Sequence, residues 1–474
     1  MRLEKDGLGE LAIPKDSLFG IHTYRATKNF PISGTKLSDF PELIRSLALT
    51  KQAAAKANML AGNLDNIRGT AIVAACEDVR DGQYHEAFVV DMIQGGAGTS
   101  TNMNANEVIA NIALLRSQKR LGDYDFISPN DHVNMSQSTN DVYPTALRLA
   151  IVSNIRPLQL ALRGLQEAFE LKAAEFASVV KVGRTQLQDA VPMTLGSEFQ
   201  AFAVTISEDI ERLADVAPLL LEVNLGGTAI GTGINASKGY RQAVVPTLAA
   251  LTGFDITGAK NLMEASSDLG VFVTFSGLLR RIAIKLSKIC NDLRLLSSGP
   301  RAGLGEIMLP AVQAGSSIMP GKVNPVIPEV LNQIAYQIMG ADLTVAMAAE
   351  AGQLQLNAME PIAGYSILNS LRLLNNGINV LTQRCVAGIV ANEEHCRKTL
   401  DQSLAVVTAL VPVLGYEKST EIAKRAMRDG SSVLTALQAM GVTDQAAIDI
   451  LKETNTEFSL SQVAEMKHSR SLSN

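Results

Sequence analysis

Residues 143–176 read YPTALRLAIVSNIRPLQLALRGLQEAFELKAAEF. Within them Leu147, Ile151, Ile155, Leu158, Leu162, Leu165 and Phe169 recur at steps of three and four, the repeat of one helical face. A helix of that length runs about 50 Å. Pro157 lies inside the pattern and predicts a kink. The same period marks residues 195–223, through Leu195, Phe199, Phe202, Ile206, Ile210 and Leu213. It marks residues 269–296 through Phe272, Phe275, Leu279, Ile282, Leu286, Ile289 and Leu293. Two further long helices are predicted over residues 326–349 and 366–389. Few segments alternate with a period of two, so no large sheet is expected. The reading is a mainly α protein whose middle is a bundle of five long helices.

Outward from the bundle, the first twenty or so residues read as an extended arm with turns at residues 7–9 and Pro14. Helical periodicity begins near Pro41, with Leu43, Leu47, Ala54 and Ala55. Gly95-Gly96-Ala97-Gly98-Thr99 is a break before a helix predicted over residues 106–118, and residues 128–143 are polar and loop-like. At Ala391 the last long helix gives way to Asn392-Glu393-Glu394-His395. With 474 residues the chain exceeds one ordinary compact core. Three domains are expected: a mixed, mostly helical one (1–138), the bundle (139–391) and a small helical one (392–474). Outward positions such as residues 343–351 are Ala, Met, Val and Leu. They need cover, from other segments of the chain or from a second copy.

Composition narrows the function. Apolar residues make up 47%, charged residues 19%, and net charge is −5 with dispersed Lys and Arg, which argues against a nucleic-acid partner. No apolar run reaches about 18 residues, so no membrane span is predicted. The first fifteen residues are charged and carry no signal pattern. Cys76, Cys290, Cys385 and Cys396 form no C-x-x-C pair and read as free thiols of a reducing, cytoplasmic compartment. Five scattered histidines offer no metal-ligand spacing. His22, His85 and His132 read as surface or structural. The glycine-rich residues 226–233 follow a helix rather than a strand, which fails the context of a dinucleotide site.

The chemistry concentrates in GSSIMPGKVNP, residues 315–325. Ser316, Ser317, Lys322 and Asn324 lie within nine residues, flanked by glycines, with Pro325 and Pro328 at the start of a helix. Hydroxyls, an amide and an ammonium near a helix N-terminus suit a carboxylate. On spacing alone the segment also reads as a Gly/Pro turn before a helix. Three more blocks place hydroxyls and amides before helix starts: GTSTNMN (98–104), SQSTND (136–141) and GRTQLQD (183–189). The first two read singly as caps, and the third as a turn followed by Pro192 and a long helix. Their recurrence suits a ligand with two anionic ends.

Together the four blocks resemble the signatures of the aspartase/fumarase superfamily, lyases that release fumarate by elimination. The resemblance runs from about residue 19 to about residue 430. It implies a homotetramer built on a core of about twenty helices, with each active site drawn from three subunits. Carried over by motif, Ser316 is the catalytic base on a mobile loop. Thr99, Ser138, Thr139, Asn140, Thr185, Gln186, Ser317, Lys322 and Asn324 bind a four-carbon dicarboxylate. No cofactor is required; stimulation by a divalent metal has no signature in the sequence.

Within the superfamily, aspartate ammonia-lyases and class II fumarate hydratases are hardest to separate. Fumarases usually carry histidine where this chain has Gln186. Hydroxide leaves poorly without a proton donor, whereas an ammonium group already carries its proton. Gln186 therefore favours ammonia as leaving group and L-aspartate as substrate, with L-malate the alternative. Residues 20–26 (GIHTYRA) and 350–357 (EAGQLQLN) resemble the ammonia-lyases, and residues 457–474 depart from their usual ending. Adenylosuccinate and argininosuccinate lyases share the serine loop but not these blocks. A non-catalytic structural member is a further alternative, opposed by the intact Ser316, Lys322 and Asn324.

Overall fold

The structure is a computed structural model that describes residues 1–453. The divergent stretch 457–474 lies outside the described residues. An antiparallel hairpin, β1 (Arg2–Asp6) and β2 (Gly9–Ile13), opens the chain where the sequence predicts an extended arm. Four helices follow: α1 (Ile21–Asn29), α2 (Pro41–Leu60), α3 (Asn66–Arg80) and α4 (Thr99–Arg116). Pro41 opens α2, and the Asp65 carboxylate caps α3 by accepting from the N–H groups of Ile67 and Arg68. Helix α4 begins earlier than its periodicity predicts, because the glycine break ends at Gly98.

The first long helix is α5 (Thr139–Glu175), which passes through Pro144 and Pro157 without breaking. A second hairpin, β3 (Val180–Thr185) and β4 (Gln188–Thr194), leads into α6 (Leu195–Val216). A parallel pair, β5 (Glu222–Val223) and β6 (Thr257–Gly258), brackets α7 (Lys238–Thr252). The glycine-rich segment thus follows a two-residue strand, not the expected helix. Helix α7 starts only at Lys238, too far on to form a strand–turn–helix phosphate cradle.

Helix α8 (Gly270–Leu296), strand β7 (Ile307–Met308), and helices α9 (Val326–Glu350) and α10 (Glu360–Arg384) follow. Strand β8 (Val390–Ala391) pairs with β7. Short helices finish the described chain: α11 (Glu393–Gln402), α12 (Val407–Leu414), α13 (Tyr416–Asp429), α14 (Val433–Ala439) and α15 (Gln445–Glu453). All four sheets among the described residues are two-stranded, as the scarcity of alternating segments implies.

The chain forms two compact units. The first comprises Met1–Leu160, Asp209–Ile284 and Ile334–Asn376; the second comprises Ala161–Glu208, Lys285–Gln333 and the chain from Gly377 onward. Each of the five long helices has one stretch in each unit. The apolar faces read from the sequence are the buried ones: every position named above on α5, α6 and α8 is buried. Each contributes on the order of 1.5–3 kcal/mol on burial. In the first unit α2 packs against α3 and α7. In the second, Phe169 on α5 meets Phe199 and Phe202 on α6 edge-on, with centroids 6.0 and 5.5 Å away. A satellite core joins Val180 and Val182 of β3 to Leu400, Leu410, Ile422 and Leu437. Tyr336, Leu343 and Met347 on one face of α9 stay 59%, 63% and 64% exposed, as the search for cover predicts.

Candidate active site

The ten residues singled out in the sequence fall into two groups, one in each unit. In the first unit, Thr99 is the first residue of α4 and Thr139 the first of α5. The two helix starts meet. Asn102 Nδ2 donates to Thr139 Oγ1 at 3.0 Å, and the Tyr143 ring lies against Gly98. A Cβ at Gly98 would come within 2.6 Å of that ring, and its φ of +89° is left-handed. Only glycine fits. Two helix N-termini at one place make a favourable seat for an anion.

Ser138 precedes α5. Its hydroxyl accepts from the Asn140 N–H at 3.2 Å, and its own N–H donates to Asp141 Oδ1 at 2.9 Å. The Asn140 amide is turned to the Ala229 carbonyl at 2.7 Å. Asp141 anchors the glycine-rich segment: its Oδ2 accepts from the N–H groups of Gly226 and Thr228, each at 3.0 Å.

Beneath this block lies a charge not anticipated from the sequence. Lys51 on α2 is fully buried, and its Nζ donates to Asn134 Oδ1 at 2.9 Å and Gln137 Oε1 at 3.0 Å. Asn102 and Asn106 also donate to Asn134 Oδ1, at 3.2 and 3.1 Å. Burial pulls the Lys51 ammonium down to about 7 against the opposing pull of Asp141. Burial likewise pushes the Asp141 carboxyl up to about 6, against its backbone N–H donors and Lys51. A sequence signal exists: Lys51 falls four residues after Leu47 and four before Ala55, on the buried stripe of α2.

In the second unit, Thr185 ends β3 and Gln186 opens its turn; both are exposed. Gln186 and Leu187 have φ of +55° and +63°, the left-handed pair of a tight hairpin. The serine loop borders an open cleft of about 440 Å³ lined by Ser316, Met319, Pro320, Gly321, Lys322 and Val323. Ser316 Oγ accepts from the N–H groups of Ile318 at 3.1 Å and Met319 at 3.0 Å. Asn324 Nδ2 donates to the Gly315 carbonyl at 2.6 Å, and the Gly315 N–H to the Lys322 carbonyl at 2.8 Å. A Cβ at Gly315 would lie 2.4 Å from that carbonyl oxygen, so glycine is needed for the loop to close on itself. Ser317 and the Lys322 side chain are exposed at its rim.

The rejected candidates stay outside this geometry. His85 Nε2 lies 2.8 Å from the Val79 carbonyl, and His132 Nδ1 accepts from the Ser128 N–H at 2.8 Å. All four cysteines are free and buried. Among the described residues no group of three His, Cys, Asp or Glu side chains is placed to hold a metal ion, and no helix is long and apolar enough to cross a membrane.

The family profile described as "Lyase" matches residues 9–340, and the one described as "Fumarase C C-terminus" matches residues 406–453. Over 456 residues, 96% of each chain, the sequence is 56% identical to a Pseudomonas aeruginosa protein named aspartate ammonia-lyase. Its fold matches a Brucella melitensis fumarate lyase:delta crystallin, crystallised bound to cobalt, with TM-score 0.94 and 58% identity over 97% of this chain and all of that one. It also matches the class II fumarase of Schistosoma mansoni, with TM-score 0.89 and 33% identity over 96% of this chain and 98% of that one. With matching profiles, a shared fold and the serine loop in place, the chain belongs to the aspartase/fumarase superfamily of lyases.

Proposed function

We propose that this lyase breaks the carbon–nitrogen bond of L-aspartate, giving fumarate and ammonia by anti elimination. The observation that carries the reading is the Ser316 hydroxyl held by two backbone N–H groups. Donors aimed at an oxygen favour its ionised form. Each pKa unit the serine must drop costs about 1.4 kcal/mol, so fixed donors, Lys322 and a helix terminus act together.

Ser316 takes a proton from C3. The electrons left behind spread into the adjacent carboxylate as a dianionic aci-carboxylate, which Thr99, Ser138, Thr139, Ser317 and loop N–H groups stabilise. Collapse expels nitrogen from C2 as neutral ammonia. Lys322 and Asn324 hold the other carboxylate, and Asn140, Thr185 and Gln186 complete the pocket. The chemistry needs no cofactor. Each site is composite, formed in a cytoplasmic homotetramer whose contacts cover the apolar face of α9.

Gln186 and the high identity to proteins named aspartate ammonia-lyase support ammonia over water. Following fumarate absorbance in the ultraviolet with L-aspartate and L-malate separately tests the choice. Robust malate turnover without aspartate turnover would replace the reading with a hydratase; no turnover of either would leave a structural protein.

A further inference from the structure

In the second unit, one buried ion cluster joins the two segments that carry the reaction's residues. Glu306 directly precedes β7 and is fully buried. Its Oε2 lies 2.6 Å from Lys181 Nζ and its Oε1 2.5 Å from Arg184 Nη1. Lys181 also meets Glu198 on α6 at 2.5 Å. Two cations and two carboxylates balance. A buried carboxylate persists only when well paired, and apolar residues of similar volume often serve stability as well. The cluster therefore calls for an account in geometry.

The backbone of Glu306 is fixed: its N–H donates to the Leu296 carbonyl and its carbonyl accepts from the Asn392 N–H, each at 2.9 Å. From this point the chain runs through β7 into the serine loop, reaching Ser316 ten residues on. On the other side, Arg184 immediately precedes Thr185 and Gln186. The hairpin tip needs holding. The β3–β4 register shifts between Val182 and Arg184, and the turn residues Gln186 and Leu187 are both left-handed without a glycine. That conformation crowds the Cβ of each residue against its own backbone. Ser403 Oγ ties the opposite strand, donating to Asp189 Oδ2 at 2.8 Å.

We propose that Glu306 is a positioning residue for the elimination: through Arg184 and Lys181, its carboxylate fixes the hairpin tip bearing Thr185 and Gln186 to the root of the serine loop. The inference rests on the elimination reading above, in which both tip residues touch substrate. A misplacement of about 1 Å in such groups costs up to about a hundredfold.

Arg184→Met tests the tie, because Lys181 still pairs with Glu306 and the fold keeps a matched carboxylate. The KM for L-aspartate should rise about tenfold or more, with kcat falling less. Amide hydrogen exchange across residues 185–191 should quicken. Arg184→Lys, which keeps the charge, should recover part of the KM. In Glu306→Gln, adding Arg184→Met should change KM little further, since both remove one tie. KM and kcat of Arg184→Met within twofold of the parent would overturn the proposal. So would loss of activity only in step with loss of folded tetramer, with Arg184→Lys no better. If Glu306→Gln does not fold, the Arg184 pair decides alone. A parent protein that does not turn over L-aspartate sinks the elimination reading; hydrogen exchange at residues 185–191 then still decides the tie, and unchanged exchange overturns it.

Discussion

The side-chain amide of Asn102 donates to the hydroxyl of Thr139 at 3.0 Å, tying the first turn of α4 to the first residue of α5. The same nitrogen reaches Asn134 Oδ1 at 3.2 Å, and Asn102 itself is buried. Asn102→Ala takes the amide donor from Thr139 Oγ1, at a cost of about 1–3 kcal/mol, while Asn134 Oδ1 keeps Lys51 and Asn106 as donors. It should lower the midpoint of thermal unfolding and raise the KM for L-aspartate. Thr139→Ala in the same background should add less than it does alone. Full additivity in both measurements would show that the contact couples nothing.

Gly98→Ala should be among the most damaging single-methyl changes in the first unit. The new Cβ meets the Tyr143 ring at 2.6 Å on a backbone with φ of +89°. Relief requires moving the start of α4, and Thr99 with it. We expect a loss of about 2 kcal/mol or more in urea unfolding, with kcat/KM falling at least tenfold. Parent-like stability would mean the ring has room to move.

The long helices were legible because their spacing is written in residue order. Leu147 through Phe169 and Phe272 through Leu293 repeat at the helical period, and all of them are buried. The blocks at residues 98–104 and 136–141 were legible as helix starts for the same local reason, and Thr99 and Thr139 do open α4 and α5; residues 183–189 instead form the tip of the β3–β4 hairpin, and α6 starts only at Leu195. Partnerships across long sequence separations were not legible. Lys51 shows in the sequence as a charge on an apolar stripe, but its acceptors Asn134 and Gln137 lie 83 and 86 residues away. Glu306 and Arg184 are 122 residues apart, and neither has a motif that points to the other. The hairpin of residues 2–13 reads from its sequence only as an extended arm, because its pairing depends on register, which alternation in five-residue strands specifies weakly.

Lys51 gives stability a pH dependence of determined sign. Burial brings its ammonium down to about 7, against about 10.4 when free. Between those values the unfolded chain holds a proton that the folded chain has released, so this group makes stability rise with pH across that window. Asp141 acts in the opposite sense lower down. Raised to about 6 from about 3.9, it binds its proton more tightly when folded, so its contribution falls as pH rises through that range. Lys51→Met should flatten the dependence between pH 7 and 10 in urea-unfolding measurements. An identical slope in parent and variant would remove Lys51 as its source.

Ser316→Ala and Lys322→Ala should fail differently. The serine hydroxyl sits in an irregular loop, so deleting it opens no core cavity and should leave thermal unfolding nearly unchanged. Turnover should drop by about a thousandfold or more, while an unreactive dicarboxylate still binds. Lys322→Ala removes a charge from the cleft rim, so binding and turnover should weaken together. Near-normal turnover by Ser316→Ala would take the serine out of the role of base.

The composite site can be tested by complementation. Thr185 lies in the hairpin before α6 and Ser316 in the loop before α9, both in the second unit, so helix length does not separate them. The superfamily resemblance instead leads us to expect that each site draws its residues from three chains. Ser316→Ala subunits and Thr185→Val subunits, each inactive alone, should regain part of the activity when dissociated together and reassembled. A hybrid tetramer then contains sites that take an intact serine loop from one chain and an intact hairpin from another. Mixed tetramers can be verified by giving the two variants tags of different mass. If mixing is demonstrated and no activity returns, Thr185 and Ser316 serve the same site from the same chain, and the three-subunit arrangement fails for that pair.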